Sequence, residues 1–250
     1  MANNGDNFKD EHGYIMNGAW YPRVTSIINI KAKPALYRFY GGLNSFAEGE
    51  MIKQKSADEG TLVHEFAEKI LVGDESLPPA YIQPSIDALR RFLEQNKVHV
   101  DRDWVEKRIV HYKERYAGTI DALALIGGKF GVLDIKTSQE IYRDYNLQTA
   151  AYFASLSDEF STLQTRWILR IDQTQKCLNC GAVRRTKGGR EKIRKNGGDL
   201  HCQHEWSEMT GHIELKESPN WKEDFDAFLA AKKLWEWENE SPLKKIGYLR

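Results

Sequence analysis

Apolar positions change their spacing several times along this chain, and each change predicts an element. From Glu48 to Leu71 the pattern is helical, with Val63, Phe66, Ala67, Ile70 and Leu71 on one side and Gly60 marking a local break or a close approach. A loop over Gly73–Pro79 leads to a second helix, Ile82–Asn96, with Ile86, Leu89, Phe92 and Leu93 on one face. Val105, Ile109 and Val110 then predict a strand over Trp104–Tyr112. Two short apolar runs, Thr119–Ile126 and Lys129–Lys136, flank Gly127-Gly128 and read as a β-hairpin, because glycine supplies the positive φ angles of a tight turn. A helix over Ile141–Ser155, strands over Arg166–Ile171 and His212–Lys216, and an amphipathic helix over Trp221–Glu238 complete the pattern. Residues 1–20 read as a flexible lead, and order is expected from Tyr21, with Thr25 or Ser26 capping a short helix. Strands clustered in mid-chain and flanked by helices predict one α/β core over 21–250, interrupted by a compositionally distinct module at 173–208.

The Gly127-Gly128 turn fixes a register. With both glycines in the loop, Ile126 pairs with Lys129, and the same register carried down the hairpin sets Asp121 opposite Asp134. Lys136 lies two residues further along that face. Like charges directly opposite on paired strands are destabilising, and the neighbouring side chains are almost all apolar. Two carboxylates there call for a shared proton or for a divalent cation between them. Mg²⁺ or Mn²⁺ takes carboxylate oxygens and keeps water in its other positions. A lysine beside it orients or deprotonates that water and offsets phosphate charge, which is the equipment of metal-assisted phosphodiester hydrolysis. The alternative is a surface hairpin with two solvated aspartates and an unrelated lysine.

Composition narrows the setting. The 250 residues carry 36 basic and 36 acidic side chains, so the chain is not broadly a polyanion binder and any nucleic-acid surface must be local. Seven tryptophans and eleven tyrosines serve cores and also base stacking. No apolar stretch approaches the roughly 20 residues of a membrane span. The polar, acidic start resembles neither a signal nor a transit peptide, and three cysteines make no disulfide framework. A soluble, cytoplasmic protein is expected.

The cysteines are clustered instead. Cys177-Leu178-Asn179-Cys180 is a knuckle, and Cys202-Gln203-His204 follows after twenty-one residues. Three thiolates and an imidazole make a closed tetrahedral set for one structural Zn²⁺, with His201 competing for the fourth position and free thiols as the alternative. Arg184, Arg185, Lys187, Arg190, Lys192, Arg194 and Lys195 fall within twelve residues of the same module, opposed over that run by Glu191 alone. The run is either a solvated loop or a track for DNA phosphates that closes through Gly188-Gly189 and Gly197-Gly198.

Two further pairs stand at helical i, i+4 spacing. His64 and Glu68 share a face of the first long helix, as polar edge residues or with His64 as an imidazole ligand beside Asp121 and Asp134. Gln148 and Tyr152 share a face of the helix after the hairpin, which periodicity alone leaves as an ordinary half-exposed face.

These residues, taken in order, resemble a family. Gly60-Thr61-Leu62-Val63-His64-Glu65-Phe66-Ala67-Glu68, Gly118-Thr119-Ile120-Asp121, Leu133-Asp134-Ile135-Lys136-Thr137-Ser138 and Gln148-Thr149-Ala150-Ala151-Tyr152 are similar to the motifs of the PD-(D/E)XK nucleases, in their RecB-type exonuclease branch. Pro22-Arg23-Val24-Thr25-Ser26-Ile27-Ile28 resembles a segment of the mitochondrial genome maintenance exonuclease group and related phage nucleases. The resemblance covers residues 21 to about 155.

It implies a restriction-endonuclease-like mixed β-sheet core flanked by helices, here with a small zinc-binding insertion. It implies that His64, Asp121, Asp134 and the Ile135 carbonyl hold Mg²⁺ or Mn²⁺, with Lys136 as the catalytic lysine. Gln148 and Tyr152 would position the site and the nucleic acid, and Glu68 would be a helper. Some relatives carry an iron–sulfur cluster on four cysteines at the two ends of the domain; here there are three, inside one insertion. The expected activity is a metal-dependent DNA exonuclease leaving 5′-phosphates, favouring single-stranded or end-exposed DNA in replication, recombination or repair. A non-catalytic DNA-binding protein with a vestigial nuclease fold, and an endonuclease subunit that needs a helicase or annealing partner, are the competing readings.

Overall fold

In the computed structural model, which describes residues 4–194 and 201–250, a mixed sheet separates two apolar layers. The chain begins with α1 (Asn4–His12), β1 (Gly13–Met16), β2 (Ala19–Pro22), α2 (Val24–Ile28), α3 (Pro34–Gly41), α4 (Phe46–Leu71) and α5 (Gln83–Gln95). Strands follow: β3 (His99–Val100), β4 (Lys107–His111), β5 (Tyr116–Ile120), β6 (Ala122–Ile126) and β7 (Lys129–Lys136). After α6 (Asp144–Leu156) come β8 (Thr165–Lys176), β9 (Val183–Lys187), β10 (Arg190–Arg194) and β11 (Thr210–Glu217). Helices α7 (Lys222–Glu238) and α8 (Glu240–Lys245) complete it.

The central strands lie in the order β3-β6-β7-β8, with β6 antiparallel to β7 and β7 parallel to β8. Strand β11 runs antiparallel along β8, and the β9–β10 ribbon pairs with the last two residues of β8. Period-two alternation assigns the faces. Leu123 and Val132 pack with α2, α6 and α7, whereas Ala122, Ala124, Leu133 and Ile135 pack with α4 and α5. Strand β7 is thus covered on both sides, which explains its nearly continuous apolar run. The hairpin register is the expected one, from Ile126 opposite Lys129 to Ala122 opposite Leu133, with Gly127 and Gly128 at φ 57° and 79°. The ladder stops one residue short of Asp121.

Several expectations need correction. The stretch expected as a flexible lead forms α1 and the β1–β2 hairpin, because Trp20 is buried and Phe8 packs on the same core. Neither Thr25 nor Ser26 caps α2; its N-cap is Arg23, with no side-chain cap bond, and three of the five helix residues are buried. Gly60 does not break α4. It allows a close approach, since a Cβ there would lie 2.7 Å from Thr137 Oγ1. The module boundary also moves, because β8 runs unbroken to Lys176, so 173–176 belong to the core sheet. Within the module the basic run is a hairpin, β9–β10, turning at Gly188-Gly189, rather than a loop. Lys195, Gly197 and Gly198 lie outside the described residues. No described helix is long and apolar enough to cross a membrane.

Candidate functional site

The end of β7 and the β5–β6 junction bring Asp134, Lys136 and Asp121 together, and α4 supplies His64 from one side. Asp134 has no exposed surface, and neither carboxylate oxygen has a hydrogen-bond partner among the described residues. Lys136 Nζ lies 2.6 Å from Asp134 Oδ2, so the carboxylate is held by a close ion pair. An ionised carboxylate so placed costs several kcal/mol unless it is neutralised. Burial, reinforced by Asp121 against the pull of Lys136, pushes the Asp134 carboxyl up to about 6. Burial works against the charge on Lys136, but Asp134 and Asp121 outweigh it and hold the ammonium above its ordinary range. The Tyr145 ring lies 5.1 Å from the same ammonium.

Asp121 is held differently. Its Oδ2 accepts a hydrogen bond from the Ile135 amide, so the carboxylate is anchored at the strand end while the ladder stops beside it. His64 Nε2 lies 2.8 Å from the Ile135 carbonyl and 3.8 Å from Asp121 Oδ2, and its Nδ1 lies 3.6 Å from Glu68 Oε1. Burial lowers His64, yet Asp121, Glu68 and the Ile135 carbonyl together raise it to about 9. Without a cation, the imidazolium proton therefore balances the carboxylates. Oxygen donors suited to a hard divalent ion gather around His64: the Ile135 carbonyl and Asp121 lie beside its Nε2, and Glu68 and Glu106 form with it a group whose donor atoms lie within 4.8 Å; Asp134 is not in that group. Glu68, behind His64, is placed to fix the ring through Nδ1.

Glu106 escaped the sequence reading. Its amide donates to the Asp121 carbonyl, its φ is 51°, and its carboxyl groups with His64 and Glu68 in a set whose donor atoms all lie within 4.8 Å. Burial, then Asp121 and Glu68, push it up to about 8. Only the strand pairing reveals it: β4 pairs with β5 so that Lys107 opposes Ile120, and one step further sets Glu106 opposite Asp121.

On α6, Gln148 Nε2 donates to the Tyr152 hydroxyl at 3.0 Å. Tyr152 is 2% exposed and belongs to the core, so contact with a ligand from this pair falls to Gln148.

Cys177, Cys180, Cys202 and His204 also converge, with donor atoms all within 4.8 Å; His204, rather than His201, completes that set. Burial raises the Cys177 thiol, but hydrogen bonds from the Cys180 amide, His204 and the Asn179 amide bring it down to about 6. Cys202 goes up to about 12, through burial and the thiols of Cys180 and Cys177. Three adjacent thiolates need a cation to coexist. The cluster can hold zinc, as the carboxylate site can hold Mg²⁺ or Mn²⁺.

The basic residues are largely engaged within the protein. Arg184 pairs with Glu191, Arg185 with Asp172, and Arg194 with Glu140. Lys187 donates to the Thr137 carbonyl, Lys192 to Gln139, and Arg190 lies over the Phe39 ring.

No family model and no curated protein matches the chain. Among solved structures it is similar to LHK-Exo, in a crystal structure with dAMP. The two share 13% identity over 80% of this chain and 91% of that one, with a TM-score of 0.32. A likeness this slight bears no argument about function.

Proposed function

We propose that this chain is a metal-dependent deoxyribonuclease. The observation that carries the reading is the Asp134 carboxylate: fully buried, paired with Lys136 at 2.6 Å and close to Asp121, whose Oδ2 lies 3.8 Å from His64 Nε2. A group of that kind is retained where charge is needed, and here it has the neighbours of a Mg²⁺ or Mn²⁺ centre. The ion, when bound, supplies a water of lowered pKa and a Lewis acid for the phosphoryl oxygen. Asp134, Asp121, the Ile135 carbonyl and His64 bind it, and Glu68 orients His64. Lys136, whose ammonium Asp134 and Asp121 favour, would orient the attacking water and offset phosphate charge. Gln148 reaches the substrate side, and Tyr152 holds Gln148 in place.

Exonuclease action, a preference for single-stranded or end-exposed DNA, and a place in replication, recombination or repair rest on the family resemblance of residues 21 to about 155. So does the idea of a helicase or annealing partner.

The test is a time course on end-labelled single- and double-stranded DNA with Mn²⁺, wild type beside Asp134→Ala. A ladder growing from single-stranded ends, absent in the variant, is expected. Cleavage that survives Asp134→Ala would sink the assignment.

A further inference from the structure

We propose that Cys177, Cys180, Cys202 and His204 bind one zinc ion, and that this zinc clamps the β9–β10 hairpin onto the turn after Lys136. The module is then a positioning element of the carboxylate site rather than a separate grip on DNA. Its second half rests on the nuclease reading above.

Ligand spacing supports the metal. Cys177 Sγ and Cys202 Sγ are 3.8 Å apart, and His204 Nδ1 lies 3.5 Å from Cys180 Sγ and 3.4 Å from Cys177 Sγ. A tetrahedral zinc with Zn–S of about 2.3 Å and Zn–N of about 2.0–2.1 Å has edges of about 3.8 Å between sulfurs and about 3.5 Å from sulfur to nitrogen. The two ligand segments are already tied together: the Leu178 amide donates to the Glu205 carbonyl and Asn179 Nδ2 to the Gln203 carbonyl.

The hairpin needs an external hold. It joins the core sheet through only two pairs, Gln175 with Arg184 and Lys176 with Val183. None of its strand residues is fully buried. A two-stranded ribbon without an apolar face is marginal in water. From the zinc ligands a chain of contacts leads into it. The His204 and Trp206 rings are 4.8 Å apart, and the Arg184 guanidinium lies 4.6 Å over Trp206.

Beyond Arg184 the hairpin meets the site. Arg185, fixed by Asp172 at 2.8 Å, donates to the Thr137 carbonyl at 3.2 Å, and Lys187 donates to the same oxygen. The Gly188 amide donates to Glu59 of α4 at 3.1 Å, and a Cβ at Gly188 would lie 2.1 Å from Ser56 Oγ. Thr137 directly follows Lys136, and α4 carries His64. The hairpin thus bridges the two elements that supply the lysine and the imidazole.

Three measurements on the full chain decide this. Elemental analysis should find one zinc per chain, and Co²⁺ exchanged for it should show thiolate-to-cobalt charge transfer and tetrahedral ligand-field bands. No metal, or iron in its place, would overturn the zinc assignment. Zinc removal should raise hydrogen exchange in β9–β10 and in residues 137–140, and unchanged exchange would overturn the clamp. Trp206→Ala keeps all four ligands and the Cys177–Ala182 bond but removes the ring between His204 and Arg184, so it should retain zinc and lower kcat about 10-fold, with KM for DNA unchanged. A raised KM at constant kcat would overturn positioning and make the module a DNA grip. If the wild type cleaves nothing, the nuclease reading fails while zinc content and exchange still decide the clamp.

Discussion

The carboxylate site and the cysteine cluster both gather metal-binding atoms, but they are built in opposite ways. Asp134 sits on β7, His64 on α4 and Asp121 at the β5–β6 junction, so each donor rides on an element held by one of the two apolar layers. That framework is held by apolar packing, and oxygen donors of this kind would leave water in other positions of a bound ion. The thiols and His204 come from two short non-regular segments, 177–180 and 202–204, and four soft donors leave no open position. Change should therefore cost chemistry in the first region and local structure in the second.

The largest expected effect tests that division directly. Asp134→Asn should take cleavage to background at little cost in Tm, because relief from burying the Asp134 charge offsets the lost Lys136 ion pair and Asp121 still faces the ammonium. Cys180→Ser should lower Tm and lose zinc, yet keep measurable cleavage. Each kcal/mol lost would appear as about 2–4 °C in a chain of this size. Equal destabilisation by both substitutions, read by calorimetry, would erase the distinction.

A smaller effect probes how far the open site extends. Glu106 and Glu68 group with His64, and Glu68 faces its Nδ1 while the Ile135 carbonyl holds Nε2. Glu106→Gln should weaken apparent Mn²⁺ affinity or turnover by about 10–100-fold, as outer-shell changes do. Titrating cleavage against Mn²⁺ separates the two, and an unaltered titration would remove Glu106 from the site.

Legibility in the sequence followed the same divide. The Gly127-Gly128 turn fixed a register that the structure keeps, so the relation of Asp121, Asp134 and Lys136 was readable from glycine chemistry and period-two alternation. The cysteine spacing was readable too, because few uses of three thiols and a histidine exist. Glu106 was not, since it depends on a β4–β5 pairing whose ends carry no glycine turn; Arg115, at φ 53°, makes that bend instead. The order within residues 4–20 was hidden for another reason. Their polar composition conceals two anchors, Phe8 and Trp20, whose partners Trp235 and Tyr248 lie more than two hundred residues away. The basic run looked solvated because its acidic partners, Asp172 and Glu140, stand outside it in sequence.

Acid–base linkage offers a third, graded test. In the metal-free protein His64 is raised to about 9 from 6.5, Glu106 to about 8 from 4.5, and Asp134 to about 6 from 3.8. Each group binds its proton more tightly folded than unfolded. Each therefore stabilises the fold fully below its ordinary value and loses that contribution as pH rises through the raised one. Metal-free Tm should fall between about pH 5 and about pH 9, with burial discounted for Glu106, which is exposed. Mg²⁺ displaces these protons, so the Tm gain it gives should grow over the same window. A metal-free Tm that rose across it would mean that the carboxylates ionise without a partner.

The smallest effect lies within the basic hairpin itself, where two residues of one run should behave differently. Lys192 is exposed and held only by Gln139, so it is free to meet a phosphate. Arg185 is committed to Asp172 and the Thr137 carbonyl. Lys192→Ala should therefore reduce the slope of log affinity against log salt by about 0.7 for single-stranded DNA, one phosphate contact's worth, with kcat unchanged. Arg185→Ala should leave the slope alone and lower kcat, because it loosens the turn beside Lys136. Fluorescence anisotropy across a salt series reads the first, and single-turnover cleavage reads the second. If both substitutions flatten the salt dependence equally, the hairpin is a uniform electrostatic grip, and the contrast between a chemical region and a structural one no longer holds.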